Sequence, residues 1–242
     1  MLDIGLHPGF SKETATQFEF VSKAQIVSYL KTRKPFSHKG NYGHALIVAG
    51  NTGMMGAAVL CARSCLRAGV GLLTMNTPKE YISVLHTAVP EAMVMLREDT
   101  GNSFLQFTSI GIGPGLGKKE ETQKMIFSIL EQYQKSMALD ADALNSISLN
   151  KDWLKKIPAG SVLTPHPKEF ERLFGECASD FELLDKALDM SKQYPFTILV
   201  KGHYTLIAAE GKGWFNTTGN AGLAKGGSGD VLTGMITALL AQ

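Results

Sequence analysis

Cysteine is scarce in this 242-residue chain, which has only Cys61, Cys65 and Cys177. Three thiols build no disulfide framework. Cys61 and Cys65, four apart in an apolar stretch, have the spacing of neighbours on one helix face. No His or Cys lies near enough in sequence to complete a zinc set. Buried thiols in a reducing, cytoplasmic setting are the expectation. Charge of one sign is equally lacking: 24 Lys and Arg stand against 22 Asp and Glu, for a net charge of +2. That argues against nucleic acid or a membrane surface as partner. Long apolar runs are missing too, so no stretch reads as a membrane span or a signal peptide. What is present is ordinary for a globular core, 44% hydrophobic and 19% charged, with 25 glycines gathered in loops. The length suits one large domain or two small ones.

The most informative of those loops lies in residues 216–240, NTTGNAGLAKGGSGDVLTGMITALL. Gly226, Gly227, Ser228 and Gly229 leave the backbone open to close approach. Val231 to Leu240 reads as a buried helix. A glycine loop opening into a helix N-terminus offers unpaired N–H groups and the positive end of the helix dipole to an anion. Asp230 would repel that anion as a ligand. It suits either a helix N-cap or a base that takes a proton from a hydroxyl attacking a phosphate.

Upstream, Ser22 to Leu30 reads as a short helix capped by Ser22. Ala45 to Ala49 is an apolar strand, Gly50 to Gly56 a glycine loop, Ala57 to Ala68 a helix, and Gly71 to Met75 the start of another strand. This strand–helix–strand unit builds parallel sheets, and its loop lies where such sheets bind ligands. Lys79 to Val89 reads as helix, and residues 90–94 lead into a strand. A second glycine loop, Ser109 to Gly117, has Leu116 where the dinucleotide fingerprint needs glycine. It also lacks the glycine and the Ser/Thr of a P-loop. Glu120 to Gln134 and Asp180 to Tyr194 have helical periodicity. Thr197 to Val200 and Leu206 to Ala209 read as strands, with a turn at residues 210–213.

Three further polar groups end predicted strands. Asp140, Asp142 and Asn145 suit Mg²⁺-facing groups, with helix capping by Asp142 as the plain alternative. His166, between Pro165 and Pro167, sits in a rigid extended turn that forbids helix until after residue 167. Its role is either functional or structural. Lys201 could meet phosphates as a point charge or end a strand in solvent.

Together these stretches resemble the NAD(P)H-hydrate dehydratase family, a branch of the ribokinase-like kinases. The resemblance rests on residues 226–234 (GGSGDVLTG), 90–94 (PEAMV), 111–117 (GIGPGLG), 139–145 (LDADALN), 163–169 (LTPHPKE) and 200–205 (VKGHYT). It includes Lys39, Gly40, Gly43, Gly50, Met55, Gly56 and Ala57, and covers roughly residues 25–242. Asn51 replaces a common Ser, and Lys168 a Gly.

The resemblance implies a ribokinase-like three-layer α/β fold, a mostly parallel central sheet with helices on both faces. It implies a lyase that repairs hydrated NADH or NADPH (NADHX, NADPHX). The C6 hydroxyl is phosphorylated from ADP or ATP, with Mg²⁺, and phosphate is then eliminated. ADP is the usual donor in bacterial members. Asp230 would be the base, with Gly227, Ser228 and Gly229 holding the transferring phosphate. Gly56, Ala57, Gly113, Gly115, Gly117 and His166 would border the substrate. Lys201, Gly202, His203, Tyr204, Thr205, Asn220 and Gly229 would line the nucleotide, and Asp140 and Glu169 would face the metal. Residues 1–24 are expected to be an arm or the end of a preceding epimerase domain. Residues 25–242 would be the dehydratase domain, shortened at its C-terminus relative to a family that continues with further helices. A homo-oligomer, a tetramer in many members, is also implied. Two rivals stand beside this reading: a related hydroxyethylthiazole or pyridoxal-type kinase, and a nucleotide-binding module without catalysis.

Overall fold

A computed structural model describes residues 5, 7, 9–30, 32–99 and 103–242. Residues 2–6, whose sequence suits an edge strand, lie outside the described residues except for residue 5. The strands are β1 (Phe18–Phe20), β2 (His44–Val48), β3 (Leu72–Thr77), β4 (Met93–Leu96), β5 (Ser109–Ile112), β6 (Met137–Leu139), β7 (Val162–Leu163), β8 (Thr197–Val200), β9 (Thr205–Ala209) and β10 (Lys212–Asn216). They form one sheet in the order β1-β10-β9-β8-β7-β6-β5-β2-β3-β4. Pairing is parallel except where β9 meets β8 and β10.

The helices are α1 (Phe10–Glu13), α2 (Lys23–Tyr29), α3 (Met55–Arg67), α4 (Ile82–Ala88), α5 (Glu120–Gln132), α6 (Ala141–Leu149), α7 (Pro167–Phe174), α8 (Asp180–Gln193) and α9 (Ser228–Ala241). Strand β2 shows why they cover both faces. Ala45, Leu46, Ile47 and Val48 are all fully buried, and alternate residues of a strand point to opposite faces. Ala45 and Ile47 pack with Ala58, Cys61 and Cys65 of α3, Leu85 of α4 and Ala238 of α9. Leu46 and Val48 pack on the other side with Ile126 of α5, Leu144 of α6, Phe170 of α7 and Leu188 of α8. A strand apolar on both faces must be covered on both, and the expected three-layer architecture results.

The order of strands reverses direction between β2 and β5. The chain leaves β2 toward β3 and β4, and leaves β5 toward β6, β7 and β8. Ligands in open α/β sheets bind at the carboxyl ends beside such a reversal. Helix α9 is fixed there from below: Ser109 Oγ donates to Thr237 O at 2.7 Å, and both residues are fully buried.

Several elements differ from the sequence reading, among them α3, which starts at Met55 inside the expected glycine loop. Ser109–Ile112, read as part of a glycine loop, is a central strand. The turn at residues 210–213 is two residues long, Glu210 and Gly211 with φ of 51° and 75°, and Lys212 already belongs to β10. Paired positive φ values at a two-residue hairpin match the twist of its strands. Phe18–Phe20, within the stretch read as an arm, pairs in parallel with β10 and extends the sheet edge.

Candidate functional site

Two glycine loops meet at the reversal. After β2, the Gly50 amide donates to Pro114 O at 2.8 Å. After β5, the Gly113 amide donates to Val48 O at 3.2 Å. Asn51 Nδ2 donates to Leu116 O at 3.0 Å. Gly113 has φ of 137°, and a Cβ there would lie 1.8 Å from Asp140 O, so a side chain would drive the loop off the next strand. Nothing lies within 4 Å of a Cβ built on Gly56 or Gly117, so both backbones face open space. The loops are linked to α9 through α3. Cys61, four residues beyond Ala57, donates its thiol to Asp230 O at 3.1 Å.

A polar cluster lies beside these loops, at the ends of β6, β7 and β8. Asp140 is 2% exposed. Its Oδ1 accepts from Lys201 Nζ at 2.7 Å and from the Ala141 amide at 2.8 Å. Its Oδ2 accepts from Thr233 Oγ1 at 2.8 Å. A buried carboxylate survives only when its lone pairs are met in this way. Glu169, also buried, lies 3.8 Å from Lys201 Nζ. Asp140 is thus the N-cap of α6, where Asp142 was the alternative. Asp142 Oδ2 instead accepts the Gly117 amide at 2.8 Å, which ties the second glycine loop to α6. Ala141 has a φ of 46°, a left-handed conformation rare outside glycine and asparagine.

His166 caps α7. Its Nδ1 accepts the Glu169 amide at 3.2 Å, and Glu169 Oε2 accepts the His166 amide at 2.9 Å. This reciprocal box lets the helix start at Pro167 itself, where proline is tolerated as first residue. The helix therefore begins one residue earlier than expected. The ring's other nitrogen, Nε2, lies 3.5 Å from Glu169 Oε1 on a side chain that is 45% exposed. His166 thus combines a structural role with a face open to a ligand.

Helix α9 presents its N-terminus to this cluster. Gly227 precedes it with φ of 89°, a conformation that favours glycine, and makes no side-chain cap. The first intrahelical bond runs from the Val231 amide to Gly227 O at 3.0 Å. The amides of Ser228, Gly229 and Asp230 precede it and are the free donors of a helix start. A Cβ built on Gly229 would lie 3.6 Å from Asp140 Oδ2 and 3.7 Å from Lys201 Nζ, which places this turn directly over the ion pair.

Asp230 is therefore the third residue of α9, and the N-cap reading gives way. Burial raises the proton affinity of its carboxyl first, the charge of Asp140 adds to the rise, and Lys201 opposes both. A carboxylate held this way is a better base than one in water. The hydroxyl of Ser228 is buried with no hydrogen-bond partner among the described residues. An orphaned donor beside free amides and Lys201 fits a phosphate oxygen.

The remaining expected residues form a shelf beside Lys201, whose amide donates to Pro165 O at 2.9 Å. Thr205 Oγ1 donates to Gly202 O at 3.0 Å. A Cβ on Gly219 would lie 2.0 Å from His203 O, so the loop before Asn220 rests on this segment. Asn220 Oδ1 accepts the Gly222 amide at 2.7 Å. Tyr204 stands 60% exposed against His203, with ring centroids 4.8 Å apart. Among the described residues no group of three or more His, Cys, Asp or Glu side chains assembles. Asp140 and Glu169 both turn toward Lys201. Two carboxylates suit Mg²⁺ only if phosphates and water complete its shell, which is its usual habit.

Two residues of the site were not foreseen. Thr233 lies one helical turn after Gly229 and Asp230, a spacing that puts it on their face of α9. Arg97 clamps the first glycine loop through three carbonyls, donating to Gly50 O at 2.9 Å, Ala49 O at 3.3 Å and Asn76 O at 2.9 Å. No sequence pattern marks such partners.

A profile of the NAD(P)H-hydrate dehydratase family matches residues 45–242. The chain is 39% identical over 233 residues to the bifunctional NAD(P)H-hydrate repair enzyme Nnr of Escherichia coli, covering 94% of this chain and 44% of that protein. It is 36% identical over 228 residues to the ADP-dependent (S)-NAD(P)H-hydrate dehydratase of Bacillus subtilis, covering 91% and 80%. Among solved structures, a ribokinase-like superfamily protein from Enterococcus faecalis V583 superposes with a TM-score of 0.82 at 30% identity, over 95% of this chain and 82% of that one. The ADP/ATP-dependent NAD(P)H-hydrate dehydratase of B. subtilis, co-crystallised with ATP and Mg²⁺, gives 0.78 at 34%, over 92% and 80%. The chain spans just under half the length of the bifunctional relatives it matches.

Proposed function

The chain belongs to the NAD(P)H-hydrate dehydratase family, and from that premise we propose that it converts hydrated NADH or NADPH back to the intact coenzyme at the expense of a nucleotide phosphate. The observation that carries this is the meeting of Asp230 and the free amides of Ser228 and Gly229 over the Lys201–Asp140 ion pair. Asp230 takes the proton of the C6 hydroxyl, and that oxygen attacks the terminal phosphate of the nucleotide, whose bond to the bridging oxygen breaks so that the nucleotide departs one phosphate shorter. The amides of the 227–229 turn, the Ser228 hydroxyl and Lys201 receive the phosphate's charge. The C–O bond at C6 then breaks as phosphate departs, and a proton leaves C5 as the double bond re-forms. No electrons enter or leave, so a kinase-like site performs a dehydration.

The glycine loops around Gly56, Ala57, Gly113, Gly115 and Gly117, with His166, hold the hydrated (tetrahydropyridine) ring. The shelf from Gly202 to Thr205, with Asn220, holds the nucleotide, which we take to be ADP. Mg²⁺ on the nucleotide phosphates would supply charge neutralisation, with Asp140 and Glu169 the acids that face it. In the native protein an epimerase domain precedes residue 25, and the chains form a homo-oligomer, a tetramer in this reading. Among the described residues no helix is long and apolar enough to cross a membrane. The three free cysteines support a cytoplasmic setting.

The test follows return of the reduced-nicotinamide absorbance from purified NADH hydrate with Mg²⁺ plus ADP, with Mg²⁺ plus ATP, and with no nucleotide. Nucleotide-dependent recovery that Asp230→Asn abolishes is expected. Recovery that ignores either the nucleotide or the substitution would overturn the reading.

A further inference from the structure

A cavity of about 470 Å³ opens beside the first glycine loop, away from Lys201, between the ends of β3 and β4 and helix α5. Its size suits a small-molecule site. Met95, Phe104 and Met125 make its apolar wall, and Asn76 and Arg97 its polar floor. The lining holds two rim cations, Lys119 and Lys124, and two rim acids, Asp99 and Glu121, so Arg97 is its one further charge, with Glu98 and Glu80 outside the lining favouring the charged form.

Arg97 is unusual in having no carboxylate in ion-pair contact among the described residues. Its acceptors are the three carbonyls already given and Asn76 Oδ1, at 3.1 Å from Nε. Those four bonds leave one of its five N–H groups without an acceptor. Asn76 is 6% exposed, its Oδ1 is taken by Arg97, and its amino group has no acceptor among the described residues. Burial lowers the guanidinium to about 10, still charged at neutral pH. A half-buried cation with spare donors beside an apolar wall fits an anionic group carrying a flat ring.

The cavity borders the glycine loops through Asn51. Asn51 lines it and also bonds across to Leu116 in the second glycine loop. Resting on the reading above, the geometry points to this cavity as the seat of the adenylate half of the dinucleotide substrate. The base lies against Met95, Phe104 and Met125, and phosphate oxygens meet Arg97 and Asn76. The nicotinamide half reaches Asp230 across the glycine loops. The substrate's two halves then flank the β2–β5 reversal, and the phosphate-donor nucleotide keeps the separate shelf beside Lys201.

The test uses Ser128, a half-buried residue of α5 on the cavity wall, whose hydroxyl among the described residues takes a bond only from Gln132. Ser128→Trp fills the cavity, and Ser128→Ala is the control. Steady-state kinetics with NADH hydrate should show KM raised about tenfold or more by Ser128→Trp, with kcat and the KM for ADP held, the pattern of lost uniform binding. A KM equal to the control's would overturn the inference while leaving the dehydration reading intact. Binding of ordinary NADH, followed by its own fluorescence with the donor site filled by a non-hydrolysable ATP analogue, is read separately. Binding that Ser128→Trp abolishes upholds the cavity even in a chain that fails to dehydrate NADH hydrate. Binding that it leaves untouched overturns it.

Discussion

Replacing Gly229 with alanine separates a glycine needed for folding from one needed for a ligand. Gly229 lies in the first turn of α9 with no positive φ, so alanine fits its backbone. The new methyl would meet Asp140 Oδ2 at 3.6 Å and Lys201 Nζ at 3.7 Å, ordinary contact distances that ask nothing of the fold. Alanine favours helix over glycine by about 0.5–1 kcal/mol. For a domain of this size that raises Tm by roughly 1–4 °C. The same methyl stands over the ion pair, where the transferring phosphate has to sit. Loss of one anion-hole contact elsewhere costs on the order of a hundredfold in kcat, and a similar fall is expected here. Thermal melts and nucleotide-dependent turnover of NADH hydrate on one preparation check both halves. A variant that melts lower and loses activity in step would mean that the glycine serves the fold. One that keeps full turnover would mean that no phosphate passes over this turn.

The pH profile of kcat/KM should fall on the acid side as Asp230 gains its proton, at a higher pH than an ordinary aspartate would. Asp140→Asn removes the charge that helps raise Asp230 and moves that limb to lower pH. Lys201→Met removes the opposing charge and moves it higher. Shifts in one common direction would contradict the electrostatics. Thr233→Val deletes the donor to Asp140 Oδ2 and should destabilise the fold by about 1.5–3 kcal/mol, the range for a bond to a charged group, measured by urea unfolding. An unchanged midpoint would mean that water replaces the hydroxyl. Asp230→Asn should inactivate and yet stabilise. The folded carboxyl binds its proton more tightly than the unfolded one, so ionisation costs stability as pH rises through that window, and Asn removes the cost at neutral pH. A lower Tm at neutral pH would contradict this.

Legibility in the sequence followed locality. The first strand–helix–strand unit was readable because its apolar run, loop and helix are contiguous, and the Ser22 cap of α2 because its partner, Gln25, is three residues away. The glycine–Asp stretch was visible as a site, but its two readings split on where α9 begins. Only Gly227's conformation decides that. Strands β5 and β7 are four and two residues long, too short for periodicity to show. The pairing of Phe18–Phe20 with β10 spans nearly the whole chain. Asp140 displaced Asp142 as cap because Thr233 and Lys201, distant in sequence, converge on it. Arg97 binds backbone carbonyls, which every residue has.

The central claim is that the C6 oxygen leaves on phosphorus, and an isotope experiment tests it most directly. NADH hydrate carrying heavy oxygen at its C6 hydroxyl would be turned over with Mg²⁺ and ADP, and the released phosphate examined by phosphorus NMR. The account predicts one labelled oxygen in each phosphate released. Label found in water, with unlabelled phosphate or none, would show that the hydroxyl departs without being phosphorylated and would contradict it.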